Sequence, residues 1–180
     1  MRIQLGLGLF GEAGHDWGER MKIVYRPIGV VHSPFTEPEG VPIQPAAGAG
    51  IRATVEVFEE YREGLKDLKG FSHVVLVCHF HKSRGYRLTV VPFLDDRPRG
   101  LFATRAPRRP NPIGLSVVRL RKVQKGVLFI EDVDLLEGTP VLDIKPFVPE
   151  FSEPTEVRRG WLEKVRRSAA GRPSDGRFKE

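Results

Sequence analysis

The chain contains several short stretches in which apolar and polar residues follow the two-residue period of a β-strand. In residues 51–57, apolar side chains alternate with Arg52, Thr54 and Glu56, as expected of a strand with one buried face. Residues 71–81 are rich in Val and Leu with few breaks, which predicts a strand buried on both faces. Strands are predicted over residues 23–31, 51–57, 71–81, 86–93, 115–123, 127–135 and 141–145.

Two segments have the helical period instead. Tyr61, Leu65 and Leu68 share one face of a short helix predicted over residues 59–68. A second helix is predicted over residues 156–167, with an apolar stripe that includes Trp161 and a basic opposite face. Many short strands with one or two short helices indicate a mainly β protein, built as an antiparallel sheet or closed barrel rather than a doubly wound α/β fold.

Turn signals separate the strands. Gln124, Lys125 and Gly126 join two predicted strands into a hairpin, and residues 137–140, with the sequence EGTP, form a strong turn. Residues 35–50 contain three prolines and several glycines. A loop of that length inside a compact domain is usually functional or disordered.

The length of 180 residues suits one main domain. We expect this domain over residues 21–153, after an extension over residues 1–20 that is expected to be disordered and precedes a plausible alternative start at Met21. Residues 154–180 are expected to form a basic C-terminal helix and tail.

The net charge of +6 favours a polyanionic partner such as a nucleic acid. Cys78 is the one cysteine, so the sequence excludes an intrachain disulfide and a cysteine metal cluster and fits a reducing, cytoplasmic setting. No apolar run approaches the roughly 20 residues of a membrane span. His79 and His81 have a spacing found in metal sites, but a third ligand is not evident, and no metal is expected.

Residues 102–116, with the sequence FATRAPRRPNPIGLS, contain three arginines and three prolines. Proline fixes φ and restricts the residue before it, so this loop should be stiff. Arginines on a stiff loop suit a carboxylate or phosphate ligand, because less entropy is lost when the ligand binds. A solvated basic turn between two strands explains the composition equally well.

Four sequence motifs together resemble one family. They are HSPF at residues 32–35, GFSHVVLVCHFH at 70–81, the 102–116 loop, and EGTPVLDIKPF at 137–147. In this order and spacing they resemble the TrmO, or TsaA-like, family of transfer RNA (tRNA) methyltransferases that use S-adenosylmethionine. The resemblance implies a single-sheeted, antiparallel or mixed β-barrel, a homodimer, and a cofactor site near the subunit interface. It also implies methylation of N6 of threonylcarbamoyladenosine beside the anticodon.

The resemblance further implies the site residues. The implied cofactor contacts are Gln44, Pro45, Phe80, His81, Arg105, Leu115, Glu137, Gly138, Thr139 and Pro140. Glu137 departs from the family pattern, in which aspartate is common. The candidate substrate contacts are Arg108, Arg109, Asn111, Asp143 and Lys145.

Several roles remain open at the level of sequence. Asp143 and His81 are candidates for the catalytic base, although Asp143 could simply pair with Lys145, and Asn111 could bond its own backbone in an Asx turn. At the C-terminus the chain has a helix and tail where bacterial members carry a further domain, so recognition of the same RNA is less secure than cofactor binding. The alternatives to a tRNA methyltransferase are a non-catalytic RNA-binding module, a methyltransferase acting on a small molecule, and a cofactor-binding regulator.

Overall fold

The computed structural model describes residues 22–42, 49–151, 156–164 and 174. The extension expected over residues 1–20 lies outside the described residues, as does most of the expected C-terminal tail. The strands are β1 (Gly29–His32), β2 (Arg52–Val57), β3 (His73–His79), β4 (Thr89–Val90), β5 (Arg99–Gly100), β6 (Ile113–Gln124), β7 (Val127–Glu131) and β8 (Pro140–Pro146).

Six of these strands form a closed barrel in the order β1-β2-β7-β6-β3-β8, and every neighbouring pair is antiparallel. Strands β4 and β5 pair with each other in a separate two-stranded sheet. The mainly β, single-sheeted barrel expected from the sequence is therefore confirmed. Strands β6 and β7 form the hairpin that was predicted, and Lys125 and Gly126 at its turn have positive φ angles of 50° and 80°.

Alternate residues of each barrel strand point inward and form the core. Val74, Leu76 and Cys78 of β3 are each 0% exposed, whereas Val75 and Val77 on the outer wall are only half-buried. The prediction that β3 is buried on both faces is therefore wrong. Only the inner face of a closed barrel is covered by other strands, so outward apolar residues need another reason to be apolar.

The predicted helix over residues 59–68 is two short 3₁₀ helices, Glu59–Leu65 and Leu68–Gly70. Asp67 lies between them in the left-handed conformation, with φ 65°, and interrupts the helical turn. Of these residues Leu68 is buried, whereas Tyr61 remains 37% exposed. The segment therefore covers the barrel through few side chains, which is too little burial to support a longer helix.

Two other predictions need correction. The strand expected over residues 86–93 is reduced to β4, because Tyr86 and Leu88 are exposed and, within the described residues, the segment pairs only with the short β5. The C-terminal helix is a 3₁₀ helix, Gly160–Lys164, in the part of the chain that is described. Among the described residues, no helix has the length and apolar character needed to cross a membrane.

Candidate functional site

The strand register brings most of the predicted site residues that the structure describes to one end of the barrel. His79 at the end of β3 lies opposite Ile113 at the start of β6, and Cys78 lies opposite Val141 near the start of β8. Strand β1 ends beside the starts of β2 and β8. The segments 33–51, 80–88, 101–112 and 132–139 therefore all leave the barrel at this end, which we call the site end. Each segment carries part of one of the four sequence motifs.

Phe80 and His81 follow β3 at the site end. The tip of the Phe80 ring packs against Gly114, where an added Cβ would lie only 2.2 Å from the ring, and the Phe80 amide donates to the Pro112 carbonyl at 2.8 Å. His81 faces the turn at Gly138, where a Cβ would lie 4.0 Å from His81 Nε2. Burial lowers the pKa of His81, and the neighbouring Lys82 and His79 lower it further. The imidazole is therefore neutral near pH 7.

The turn at residues 137–140 is held by backbone and side-chain bonds. Gly138, with φ 74°, donates to the Val31 carbonyl at 2.9 Å, and Val31 donates to the Thr139 carbonyl at 2.9 Å. The Glu137 carboxylate accepts from His32 Nδ1 at 2.9 Å and from the Ser33 amide at 2.7 Å. Both Glu137 oxygens are thus used inside the protein, and the turn is fixed rather than free to adapt to a ligand.

The 102–116 loop is stiffened by its own arginines. Arg109 Nη1 donates to the carbonyls of Thr104 at 3.0 Å, Ala106 at 3.3 Å and Leu101 at 3.4 Å. Arg108 Nε donates to the Arg84 carbonyl at 3.1 Å. Arg108 and Arg109, two of the candidate substrate contacts, therefore brace the loop, which the composition did not reveal. Arg105, which precedes them in the chain, is exposed.

Asp134 is a site residue that the sequence reasoning missed. Ser116, 2% exposed on the inner wall of β6, donates its hydroxyl to Asp134 Oδ1 at 2.5 Å. Burial raises the pKa of the Asp134 carboxyl, although the Ser116 bond and the positive charge of Arg105 act against that rise. The sequence does contain a signal for this site residue. Asp134 is an acidic residue between the apolar Val133 and Leu135, both buried, and it comes shortly before the 137–140 turn.

Asp143 and Lys145 lie on the outer wall of β8, opposite Val77 and Val75 of β3. Lys145 Nζ pairs with Asp143 Oδ2 at 2.7 Å, and both side chains are about half exposed or more, at 65% and 46%. This is the simple ion pair that the sequence analysis considered. Asp143 therefore lies on the outside of the barrel, away from the buried Ser116–Asp134 pair.

A groove of about 460 Å³ opens on the outer wall beside the site end. Asn111 and Pro140 from the predicted site line it together with His79 and the extended segment before β1. Its lining residues are Ile23, Tyr25, Pro27, His79, Asn111, Pro112, Ile113, Pro140 and Leu142. The groove is within the size range of small-molecule sites, roughly 300 to 1,000 Å³.

Leu115 lies next to this groove and points outward from β6. It is 59% exposed, and its outward neighbours Ile113 and Val117 are 38% and 36% exposed. Gln44 and Pro45 lie outside the described residues, in the loop that begins and ends at the site end. Among the residues that are described, no three His, Cys, Asp or Glu side chains are grouped closely enough to hold a metal ion.

The family model described as the tRNA-methyltransferase O N-terminal domain matches residues 30–153. The chain belongs to this family. It is 54% identical to a protein of Pyrococcus abyssi named "Probable S-adenosyl-L-methionine-binding protein", over 88% of this chain and 86% of the relative. It is 35% identical to the human tRNA (adenine(37)-N6)-methyltransferase over 77% of this chain.

The crystal structure of TrmO from Pseudomonas aeruginosa superposes with a TM-score of 0.66 at 39% sequence identity, over 78% of this chain. This match covers 63% of the Pseudomonas chain, and the match to the human enzyme covers 33% of that protein. The shared part is thus nearly the whole of the Pyrococcus relative but only a portion of the human and Pseudomonas proteins.

Proposed function

We propose that this protein is an S-adenosylmethionine-dependent methyltransferase that acts on tRNA. The observation that carries the proposal is the convergence of the 80–88, 101–112 and 132–139 segments at the site end, in a chain that belongs to the tRNA-methyltransferase O family. S-adenosylmethionine is the cofactor.

When bound, S-adenosylmethionine supplies a methyl group on a positively charged sulfur. The residues at the site end suit such a molecule. The neutral His81 beside Gly138 does not repel a cation, and Arg105 offers a guanidinium to the carboxylate of the amino-acid group. The turn at 137–140 presents backbone groups to the nucleoside. Both oxygens of Glu137 are already bonded, so we assign Glu137 to holding the turn.

Methyl transfer is an in-line displacement that depends mainly on the placement of the two reactants. Well-oriented reactants recover roughly 7 to 11 kcal/mol of barrier in favourable cases. The braced 102–116 loop and the fixed turn both reduce the motion of the residues around the reacting groups. Leu115, Asn111 and the groove beside them are assigned to contacts with the cofactor and the acceptor base.

The acceptor that we propose is N6 of threonylcarbamoyladenosine beside the anticodon, in keeping with the human relative, which is a tRNA (adenine(37)-N6)-methyltransferase. The net charge of +6 and the exposed Arg84, Arg87 and Arg105 at the site end favour a polyanion. A tRNA substrate also places the protein in the cytoplasm. Because Lys145 is paired with Asp143, we expect it to contribute less to RNA binding than the exposed arginines do.

A homodimer is part of the proposal. The outward stripe of Ile113, Leu115 and Val117 is apolar and exposed next to the half-buried Val75 and Val77. Exposed apolar patches of this kind mark protein interfaces. A dimer that covers this stripe places the second subunit beside the groove and so close to the site.

The first test is calorimetric titration with S-adenosylmethionine. We expect the wild type to bind and Arg105→Ala to bind roughly ten- to a hundredfold more weakly, because a charged hydrogen bond is lost. Lys69→Ala, which removes an exposed cation from the opposite end of the barrel, is the control and should bind as the wild type does. A folded wild type that gives no heat would eliminate the methyltransferase and leave the RNA-binding module.

The second test is transfer of a labelled methyl group to tRNA with and without the threonylcarbamoyl group. We expect label only in the modified tRNA. Label in both would replace the proposed acceptor by another tRNA position, and label in neither, from a protein that binds the cofactor, would favour a small-molecule acceptor.

A further inference from the structure

We propose that Asp134 and Arg105 together form the subsite for the amino-acid group of the cofactor, with Asp134 receiving its ammonium and Arg105 its carboxylate. The inference rests on the proposed function, and it adds to the site a negatively charged residue, Asp134, beside the positively charged Arg105. It starts from a feature that stability alone does not explain, namely an acidic side chain enclosed at the mouth of the barrel.

The Ser116–Asp134 pair gives this carboxylate a fixed place. Ser116 sits on the inner wall of β6, and its hydroxyl hydrogen bond to Asp134 Oδ1 measures 2.5 Å. The Ser116 hydroxyl and the backbone N–H of Asp134 itself satisfy only part of the acceptor capacity of this carboxylate, which has about four lone-pair positions. Asp134 also keeps part of its surface open to solvent. A ligand that enters the site end can therefore reach it.

The charges around Asp134 indicate which class of ligand could bind beside it. Arg105 lies near enough for its charge to act on the Asp134 carboxyl. Cys78, from β3, is also within range of the Asp134 charge, but burial raises the pKa of this thiol to about 12, so it stays neutral. One cation and one anion within electrostatic range of each other match a zwitterion, and an α-amino acid is a zwitterion at neutral pH.

The enclosure of Asp134 is unfavourable for folding, which supports a functional role. Burial raises the pKa of Asp134 above its ordinary value of 3.8, so the folded protein binds the proton more tightly than the unfolded chain does. Stability is therefore lost as the pH rises from that ordinary value through the raised pKa. At neutral pH the charged form opposes folding, and Asp134→Asn should stabilise the protein by removing that charge while keeping the acceptor for Ser116.

The test compares two ligands. S-adenosylhomocysteine carries the amino-acid group, and methylthioadenosine lacks it. We expect Asp134→Asn to weaken binding of S-adenosylhomocysteine roughly ten- to a hundredfold and to change binding of methylthioadenosine less than about twofold. Asp67→Asn, which removes an exposed carboxylate at the opposite end of the barrel, is the matched control and should leave both affinities unchanged.

The thermal unfolding temperature of each variant is measured alongside. A higher unfolding temperature for Asp134→Asn with weaker binding of S-adenosylhomocysteine alone would support the subsite. Equal weakening of both ligands would show that Asp134 merely supports the loop, and unchanged affinity for both would also overturn the inference while leaving the proposed function intact. A wild type that binds neither ligand would overturn the inference and the proposed function together.

Discussion

His32 and Glu137 are separated by 105 positions in the sequence and meet with His32 Nδ1 2.9 Å from Glu137 Oε1. The contact joins the end of β1 to the turn that we assign to the nucleoside of the cofactor. Glu56 on β2 lies 3.5 Å from the other ring nitrogen of His32. The imidazole is thus held between two carboxylates, and its protonation affects how firmly the turn is attached.

Protonation of His32 should make stability depend on pH. The Glu137 hydrogen bond raises the pKa of His32 above 6.5, and His32 lowers the pKa of Glu137 below 4.5. The contact is therefore at full strength between pH 4.5 and 6.5, and it weakens as the pH rises through the raised pKa of His32 or falls through the lowered pKa of Glu137. Because His32 is exposed, we expect His32→Gln to lower the free energy of unfolding by less than about 1 kcal/mol at pH 5.5 and by less at pH 8.5. Urea unfolding at both pH values measures this, and equal losses would contradict an ionic contact.

Gly114 should tolerate no larger residue. A Cβ there would lie 2.2 Å from the Phe80 ring, so Gly114→Ala must displace the ring from its place over the core. We expect a loss of about 1 to 3 kcal/mol in the free energy of unfolding. Gly64→Ala, where an added Cβ meets nothing within 4 Å, is the control and should change stability little. Recovery of stability in the double variant Gly114→Ala, Phe80→Leu would identify the ring as the cause, whereas no recovery would point to the backbone.

Trp161 should hold the loop that leads to Arg105. Its indole Nε1 donates to the Ala103 carbonyl at 2.8 Å, and the Arg99 guanidinium lies 5.4 Å from its ring centre. Trp161→Ala removes both contacts, so we expect faster amide hydrogen exchange in residues 99–105 and a several-fold weaker affinity for S-adenosylmethionine. Leu162→Ala, at a neighbouring exposed position, should leave both unchanged. If exchange in this segment were unaltered, the C-terminal 3₁₀ helix would have no part in the site.

The proposed dimer makes a further prediction. Leu115→Lys places a charge in the middle of the exposed apolar stripe and should convert the dimer to a monomer, as measured by light scattering after size-exclusion chromatography. Phe129→Lys is the matched control, because Phe129 is 40% exposed on β7 outside the stripe. A wild type that is already monomeric would contradict the dimer, and a dimer that survives Leu115→Lys would place the interface elsewhere.

The fold was predictable from local patterns, and the site was predictable only in part. The two-residue alternation of β2, the hairpin turn at Lys125 and the turn at Gly138 all reflect backbone preferences that short segments express by themselves. The segment around Tyr86 is apolar enough for a strand, but in the part of the chain that the structure describes it pairs only with the short β5, which no local pattern reveals.

The arginine assignments show the same limit. Arg105, Arg108 and Arg109 look alike in sequence, yet Arg109 is bound to three carbonyl groups of its own loop and Arg108 to a carbonyl of the 80–88 segment. Asp134, in the segment between β7 and β8, was missed because its partner, Ser116, lies 18 positions away on β6. Such contacts depend on the barrel register, and that register is set by the whole sheet.

Strand β1 pairs with β8 over Gly29 with Val141 and Val30 with Pro140, whereas β3 pairs with β6 along all seven residues from His73 to His79. The pairing of β1 with β8, which lie near opposite ends of the chain, is therefore the shortest strand pairing in the barrel wall. We call it the seam, and local opening of the native barrel should begin there. The turn at Glu137 to Pro140 lies on that seam. Cofactor bound at this turn would hold β1 and β8 together as well as fill the site. Bound cofactor should therefore protect the fold from heat and proteases.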